Sequence, residues 1–271
     1  MSGNGATPPD GAGEPLLLIH GLGASSRVWD PVVELLAPER RVLLLDMPGF
    51  GAAPPLPADT EPSPVNLAAA LHRRCLELGA PRPHVAGNSL GAWVGLEMGR
   101  ADWAASVTAL SPAGLWKQPL GPRRRDPHRW ARRFRPAVAA ALRSRPLRER
   151  MVATFAARPE RVPARTGRQL VLGWIDSTGY RGANRAMRTH LFDPAGYPED
   201  VPVTIAWGVH DRLVGPPRPQ RRPAGTRFLV LPGVGHTPTW DDPELVARTL
   251  LEGSSSVSSE EPAQRTRGGA P

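Results

Sequence analysis

Residues Gly87-Asn88-Ser89-Leu90-Gly91 lie between a strand-like run, Pro83-His84-Val85-Ala86, and a helix-like run from Ala92 to Arg100. A serine with glycine two positions before it and two positions after it suits a sharp strand-to-helix turn. The serine backbone is strained in such a turn, and the small flanking residues let strand and helix pass each other closely. Its hydroxyl then stands above the sheet edge, at a helix N-terminus whose free N–H groups favour developing negative charge. Alone the pattern is weak, because roughly 0.15 chance occurrences are expected at this glycine and serine content. The surrounding sequence has to decide.

Apolar runs near residues 16–20, 41–46, 83–88, 105–110, 201–207 and 226–231 are rich in Val, Leu and Ile. They read as parallel strands buried on both faces. Helical segments lie between them, including Ser63 to Leu78 and Ala92 to Ala101. This alternation predicts an α/β fold with a doubly wound, mostly parallel sheet. From Pro112 to about Tyr197 the strand pattern disappears. Trp116, Trp130, Phe134, Met151, Phe155 and Trp174 are scattered there among Arg and Ala, with prolines at 119, 122, 127, 136, 146, 159 and 163. Several short helices are predicted, with those aromatics mainly as their packing core. Asp242-Pro243-Glu244 opens a last helix running to Leu251, with Asp as N-cap. Residues 1–13 and 253–271 are expected to be disordered tails.

A chain of 271 residues can bury the core of one α/β domain. The single Cys75 excludes an internal disulfide, and no spacing suits a thiolate metal site. The stretch from Met1 to Glu14 has neither a basic start nor an apolar run, and nothing reaches membrane-spanning length. A cytoplasmic setting without a membrane partner is expected. The net charge is +9, and Lys117 is the single lysine, so the basic residues are almost all arginine. Many fall between Arg123 and Arg188, where a solvated helical face is the expected reading. No nucleic-acid partner is expected.

With Ser89 as anchor, the chain resembles the α/β-hydrolase superfamily at four further places, in the family's order. Leu16-Leu17-Leu18-Ile19 runs into His20-Gly21-Leu22-Gly23, similar to the family's oxyanion-loop motif. Val42 to Leu45 ends in Asp46-Met47-Pro48-Gly49-Phe50-Gly51, similar to its D-x-P-G-x-G turn. Val203 to Gly208 leads into Val209-His210-Asp211-Arg212, which resembles the strand and turn that present the triad acid. Phe228 to Leu231 leads through Pro232-Gly233-Val234-Gly235 to His236, similar to the family's G-x-G-H. The resemblance spans about residues 14–252. It implies a core of residues 14–111 and 198–252, and a helical cap at 112–197. The stretch before Glu14 is too short and polar for the antiparallel hairpin that often opens this fold.

A serine hydroxyl needs a base to take its proton as it attacks. His236, on a glycine-rich loop after the last strand, is the candidate base. Asp211 would orient its imidazole, and the order Ser89, Asp211, His236 is the one this fold uses. The resemblance assigns the oxyanion-hole N–H groups to Leu22 and Leu90, with His20, Gly21, Gly87 and Gly91 supporting the motif. His210 adjoins Asp211 but lacks a glycine-flanked loop. His72, His84, His128 and His190 read as surface or packing residues. Asp46 reads as part of a structural turn, Asp241 and Asp242 as helix-start residues, and Asp176 as a residue able to touch substrate. Between Arg212 and Phe228 four prolines make the family's usual helix improbable.

Serine at position 89 excludes readings that need an aspartate nucleophile, such as haloalkane dehalogenase and the related epoxide hydrolases. A carboxylesterase-like serine hydrolase, without cofactor or metal and acting on a small to medium apolar ester, is expected. Carbon–carbon bond hydrolases and perhydrolases share the scaffold, though Thr237-Pro238 after His236 disfavours the former. Lactonase, thioesterase and amidase chemistries stay open. A ligand-binding homologue without turnover is the reading of another class.

Overall fold

A computed structural model describes residues 13–122 and 126–255. Six strands form one sheet in the order β2-β1-β3-β4-β5-β6: β1 (Pro15–Ile19), β2 (Arg41–Leu45), β3 (His84–Asn88), β4 (Ser106–Leu110), β5 (Val203–Gly208) and β6 (Arg227–Leu231). All five strand pairings are parallel. The six expected strands are therefore present, and the sheet is parallel throughout the described residues. The expected lack of an opening hairpin concerns residues before Glu14, almost all of which lie outside the described ones.

The twofold side-chain period of the strands explains the two layers of helices. Leu17 and Ile19 of β1 point into a core shared with α2 (Pro64–Glu77) and α3 (Leu90–Arg100). Leu16 and Leu18 point to the opposite face, against α1 (Asp30–Leu36) and α9 (Pro243–Ser255). Because both faces are covered, the strands read as continuous apolar runs instead of alternating ones. Ser63 caps α2 by accepting from the Asn66 amide at 3.3 Å, and Pro64 fills the first helical position. Asp242 caps α9 in the same way, accepting from the Leu245 amide at 2.9 Å.

The expected tail boundary at residue 253 is three residues early. The helix α9 continues to Ser255 because its last turn is tied down. Gly253 lies against Thr108, and the Arg40 guanidinium donates to the Ser254 hydroxyl and carbonyl at 3.1 and 3.2 Å. The rest of both expected tails, residues 1–12 and 256–271, lies outside the described residues.

Residues 112–197 carry α4 (Pro127–Arg133), α5 (Arg135–Ala141), α6 (Arg145–Val152), α7 (Ala164–Asp176) and α8 (Tyr180–Thr189). Three of the prolines that interrupt this stretch open α-helices: Pro127, Pro136 and Pro146 occupy first-turn positions of α4, α5 and α6. Trp174 of α7 rests on Gly23, and the Gly179 amide donates to the Gly49 carbonyl at 2.9 Å. The segment thus meets the loops that leave β1 and β2. Among the described residues no helix is long and apolar enough to cross a membrane.

Candidate active site

Ser89 joins β3 directly to α3 with φ 57° and ψ −115°, a strained conformation for a residue with a side chain. The helix begins at Leu90, two residues before its sequence-based start, because Ser89 itself is the turn. Three backbone bonds hold it: its amide donates to Leu110 at 2.9 Å, and its carbonyl accepts from Trp93 and Ala113 at 3.1 and 3.0 Å. A side chain on Gly87 would collide with the Gly91 carbonyl, and one on Gly91 with the Ile19 and His20 carbonyls. The second glycine therefore makes room for the end of β1 as well as for the turn. Leu90 opens α3, so its amide has no acceptor within the helix.

The loop after β1 comes to this turn. Gly21 packs against the Ser89 Cβ and the Asn88 carbonyl. Behind it His20 is fully buried, its Nδ1 2.8 Å from the Gly21 carbonyl and its Nε2 accepting from the Met47 amide at 3.0 Å. That pair of partners places the proton on Nδ1. Burial lowers the imidazole's affinity for a second proton, against the pull of the Gly21 carbonyl and Asp46. His20 thus clamps the loop bearing Leu22 to the turn after β2. Asp46 accepts from the Ser26 and Ala52 amides at 2.6 and 2.9 Å, as befits a structural turn.

The acid and the base come from the ends of β5 and β6. Asp211 Oδ2 and His236 Nδ1 are 2.8 Å apart, with side chains 1% and 6% exposed. Asp211 Oδ1 accepts from the Leu213 and Val214 amides at 2.8 and 2.9 Å. Burial pushes this carboxyl up, but the bond to His236, the charge of His236 and the two amides outweigh it. The carboxyl is held below its ordinary 3.8. The proline-rich stretch after Arg212 forms one 3-10 turn, Pro219–Arg221, as the lack of a helix predicts. Its first two amides nonetheless fix the acid. His210 is exposed, and its amide donates to Val234 at 3.0 Å.

Asn88 brings the histidine loop to the turn. Its Nδ2 donates to the His236 carbonyl at 2.7 Å, and its Oδ1 accepts from the Thr237 hydroxyl at 3.3 Å. The serine, its flanking glycines, the loop of His20 to Gly23 and the Asp211–His236 pair therefore converge on one end of the sheet. A model of the alpha/beta hydrolase family matches residues 16–249, a span containing all of these groups. The chain belongs to this family. The Epoxide hydrolase EphH of Mycobacterium tuberculosis is 34% identical over 210 residues, covering 68% of this chain and 91% of that protein. Among solved structures, a thermophilic esterase from Thermogutta terrifontis has a TM-score of 0.68 at 24% identity, covering 94% of this chain and 97% of its own. The carboxylesterase CesB from Bacillus subtilis has a TM-score of 0.66 at 20% identity, covering 89% and 84%. These two likenesses establish the fold.

Several side chains of this hydrolase do not lie where their sequence context suggests. Asp241 is no helix-start residue. It is fully buried, its Oδ2 accepting from the Gly235 and Ala157 amides at 2.8 and 2.9 Å and its Oδ1 from the Arg158 amide at 2.7 Å. The Thr237 amide donates to the Phe155 carbonyl at 2.9 Å beside it. Both residues flanking His236 are thereby tied to the segment that follows α6. Asp176 is engaged by Arg135 through two bonds of 2.7 Å. His72, His84, His128 and His190 all make packing or backbone contacts away from Ser89. Trp130 and Phe134 are exposed and stacked on each other, unlike the expected core residues.

Asp241→Ala leaves one buried and two part-buried N–H groups without an acceptor, which costs roughly 2–3 kcal/mol in folding stability. Urea unfolding checks this, and a midpoint unchanged from wild type contradicts the role. Asp241→Asn is predicted to be only partly tolerated, because its amide nitrogen meets at least one N–H donor head-on.

Proposed function

We propose that this hydrolase cleaves a small to medium apolar carboxylic ester through an acyl-enzyme. Ser89 Oγ attacks the ester carbonyl while His236 Nε2 takes its proton. The Leu22 and Leu90 amides stabilise the resulting oxyanion. His236 returns the proton to the departing alcohol, leaving Ser89 acylated. Water then attacks the acyl group with His236 again as base, and the carboxylic acid leaves as Ser89 regains its proton. Residues 112–197 act as the cap that roofs the site. The observation that carries this reading is the buried 2.8 Å pair of Asp211 and His236. It leaves Nε2 as the nitrogen that serves Ser89, on a loop bonded to the neighbouring Asn88.

The name of the Mycobacterium tuberculosis relative favours a second reading, epoxide hydrolysis. Chemistry at Ser89 opposes it. An alkoxide opening an epoxide forms an ether, which offers water no carbonyl to attack, whereas a carboxylate would form a hydrolysable ester. A cytoplasmic setting belongs to the same proposal. Cys75, the single cysteine, is buried, and burial pushes its thiol up to about 11, so it stays protonated and unreactive.

The test is turnover of p-nitrophenyl esters from acetate to decanoate beside styrene oxide, with fluorophosphonate labelling in parallel. Ester turnover with a chain-length optimum, no diol from the oxide, and label on Ser89 are expected. Diol formation without ester turnover or labelling overturns the proposal.

A further inference from the structure

We propose that the outer face of α4, centred on Trp130 and Phe134, docks onto an anionic lipid surface. Trp130 is 61% exposed and Phe134 50%, and their rings stack with centroids 5.9 Å apart and planes 4° from parallel. They are four positions apart in the chain, so they share one side of the helix and its end. His128, two residues before Trp130, points the other way. It is fully buried, stacked on Tyr180 at 4.3 Å, with Nε2 3.0 Å from the Trp174 carbonyl. The helix is thus pinned from inside by His128 and presents its two largest apolar side chains to solvent.

From Arg129 to Phe134 every charged side chain is positive. Arg129, Arg132 and Arg133 are exposed and make no ion pair among the described residues. The next arginine, Arg135, is occupied by Asp176. Asp126 is the one acid between residues 126 and 141, and its carboxylate is taken up by capping α4 and by Arg181 at 3.7 Å. Tryptophan and phenylalanine settle at the boundary of headgroup and acyl chain, and guanidinium groups pair with lipid phosphates. The combination selects a surface that is both apolar and anionic, which a bilayer with acidic lipids supplies.

A nucleic acid fits less well. Stacking on bases needs open aromatic faces, and the offset packing of these two rings shields part of one face of each. That no helix among the described residues is long and apolar enough to cross a membrane does not bear on a peripheral contact. The inference is independent of ester hydrolysis, because lipid binding is read without turnover.

Vesicle flotation tests it, using phosphatidylcholine alone and phosphatidylcholine with about one-third phosphatidylglycerol, an anionic content that gives a strong surface potential. Wild type floats with the anionic vesicles and stays behind with the neutral ones. Trp130→Ser/Phe134→Ser and Arg129→Gln/Arg132→Gln/Arg133→Gln both lose binding, the latter by on the order of fivefold in affinity per arginine. Matching melting curves show that the variants fold, as expected for exposed positions. Wild type that does not float, or variants that float equally well, overturn the proposal. Duplex DNA that displaces the protein from vesicles at stoichiometric amounts overturns it in favour of a nucleic-acid surface. A change of oligomeric state in the variants, without lipid binding by wild type, overturns it in favour of a second copy of the chain.

Discussion

On the proposed acyl-enzyme route, Ser89→Ala loses about five to six orders of magnitude in kcat on the preferred p-nitrophenyl ester, the usual loss when a triad nucleophile is removed. The turn survives the change. Its bonds to Leu110, Trp93 and Ala113 are all backbone bonds, and the serine side chain does not cap α3. The melting temperature of the variant therefore stays near that of wild type, which separates lost chemistry from lost fold. Ser89→Gly is equally inactive but melts higher than Ser89→Ala. The backbone at φ 57°, ψ −115° is the mirror image of an ordinary extended conformation, open to glycine and strained for alanine. That strain is worth about 1–3 kcal/mol, less the greater chain entropy that glycine loses on folding. An alanine variant retaining a hundredth of wild-type turnover, with the hydrolysis traced to this protein, removes Ser89 from the mechanism.

The six strands were legible because a strand covered on both faces must be apolar at nearly every position, as Leu16 to Ile19 are. The sharp turn at Ser89 and the pairing of Asp211 with His236 were legible because the turns that carry these residues demand particular residues next to them. What the sequence did not reveal depends on partners far away in the chain. Asp241 and Asp242 are adjacent and identical, and a local pattern treats them alike. Asp242 meets its helix three residues on, whereas Asp241 meets amides 83 and 84 residues upstream. Asn88 occupies a position that the glycine–serine pattern leaves open, yet its amide reaches 148 residues forward to the His236 carbonyl. Trp130 and Phe134 were read as buried because large aromatics usually are. Whether they are depends on which side of α4 is taken by His128, and helical periodicity alone does not say which side that is.

Asp211→Asn lowers kcat by about four orders of magnitude near neutral pH, a loss of the size expected when a triad histidine is held in the wrong tautomer. The hydrogen bonds around the acid dictate this. Oδ1 accepts from two amides, those of Leu213 and Val214. An asparagine must put its carbonyl oxygen there, since its NH2 group would face two donors. The NH2 group then points at His236 Nδ1, which has to accept in place of donating. The imidazole proton moves to Nε2, the nitrogen meant to take the proton of Ser89, and the base is blocked. In wild type the acid is a carboxylate near neutral pH, because its carboxyl is held below its ordinary 3.8. The sign for stability follows from that depression. The pairing stabilises the fold at pH values above the ordinary carboxyl range and is lost as pH falls through the lower folded value. Single-turnover acylation of the asparagine variant by a p-nitrophenyl ester measures the effect on chemistry directly. A rate within tenfold of wild type would mean that Asp211 does not orient the base.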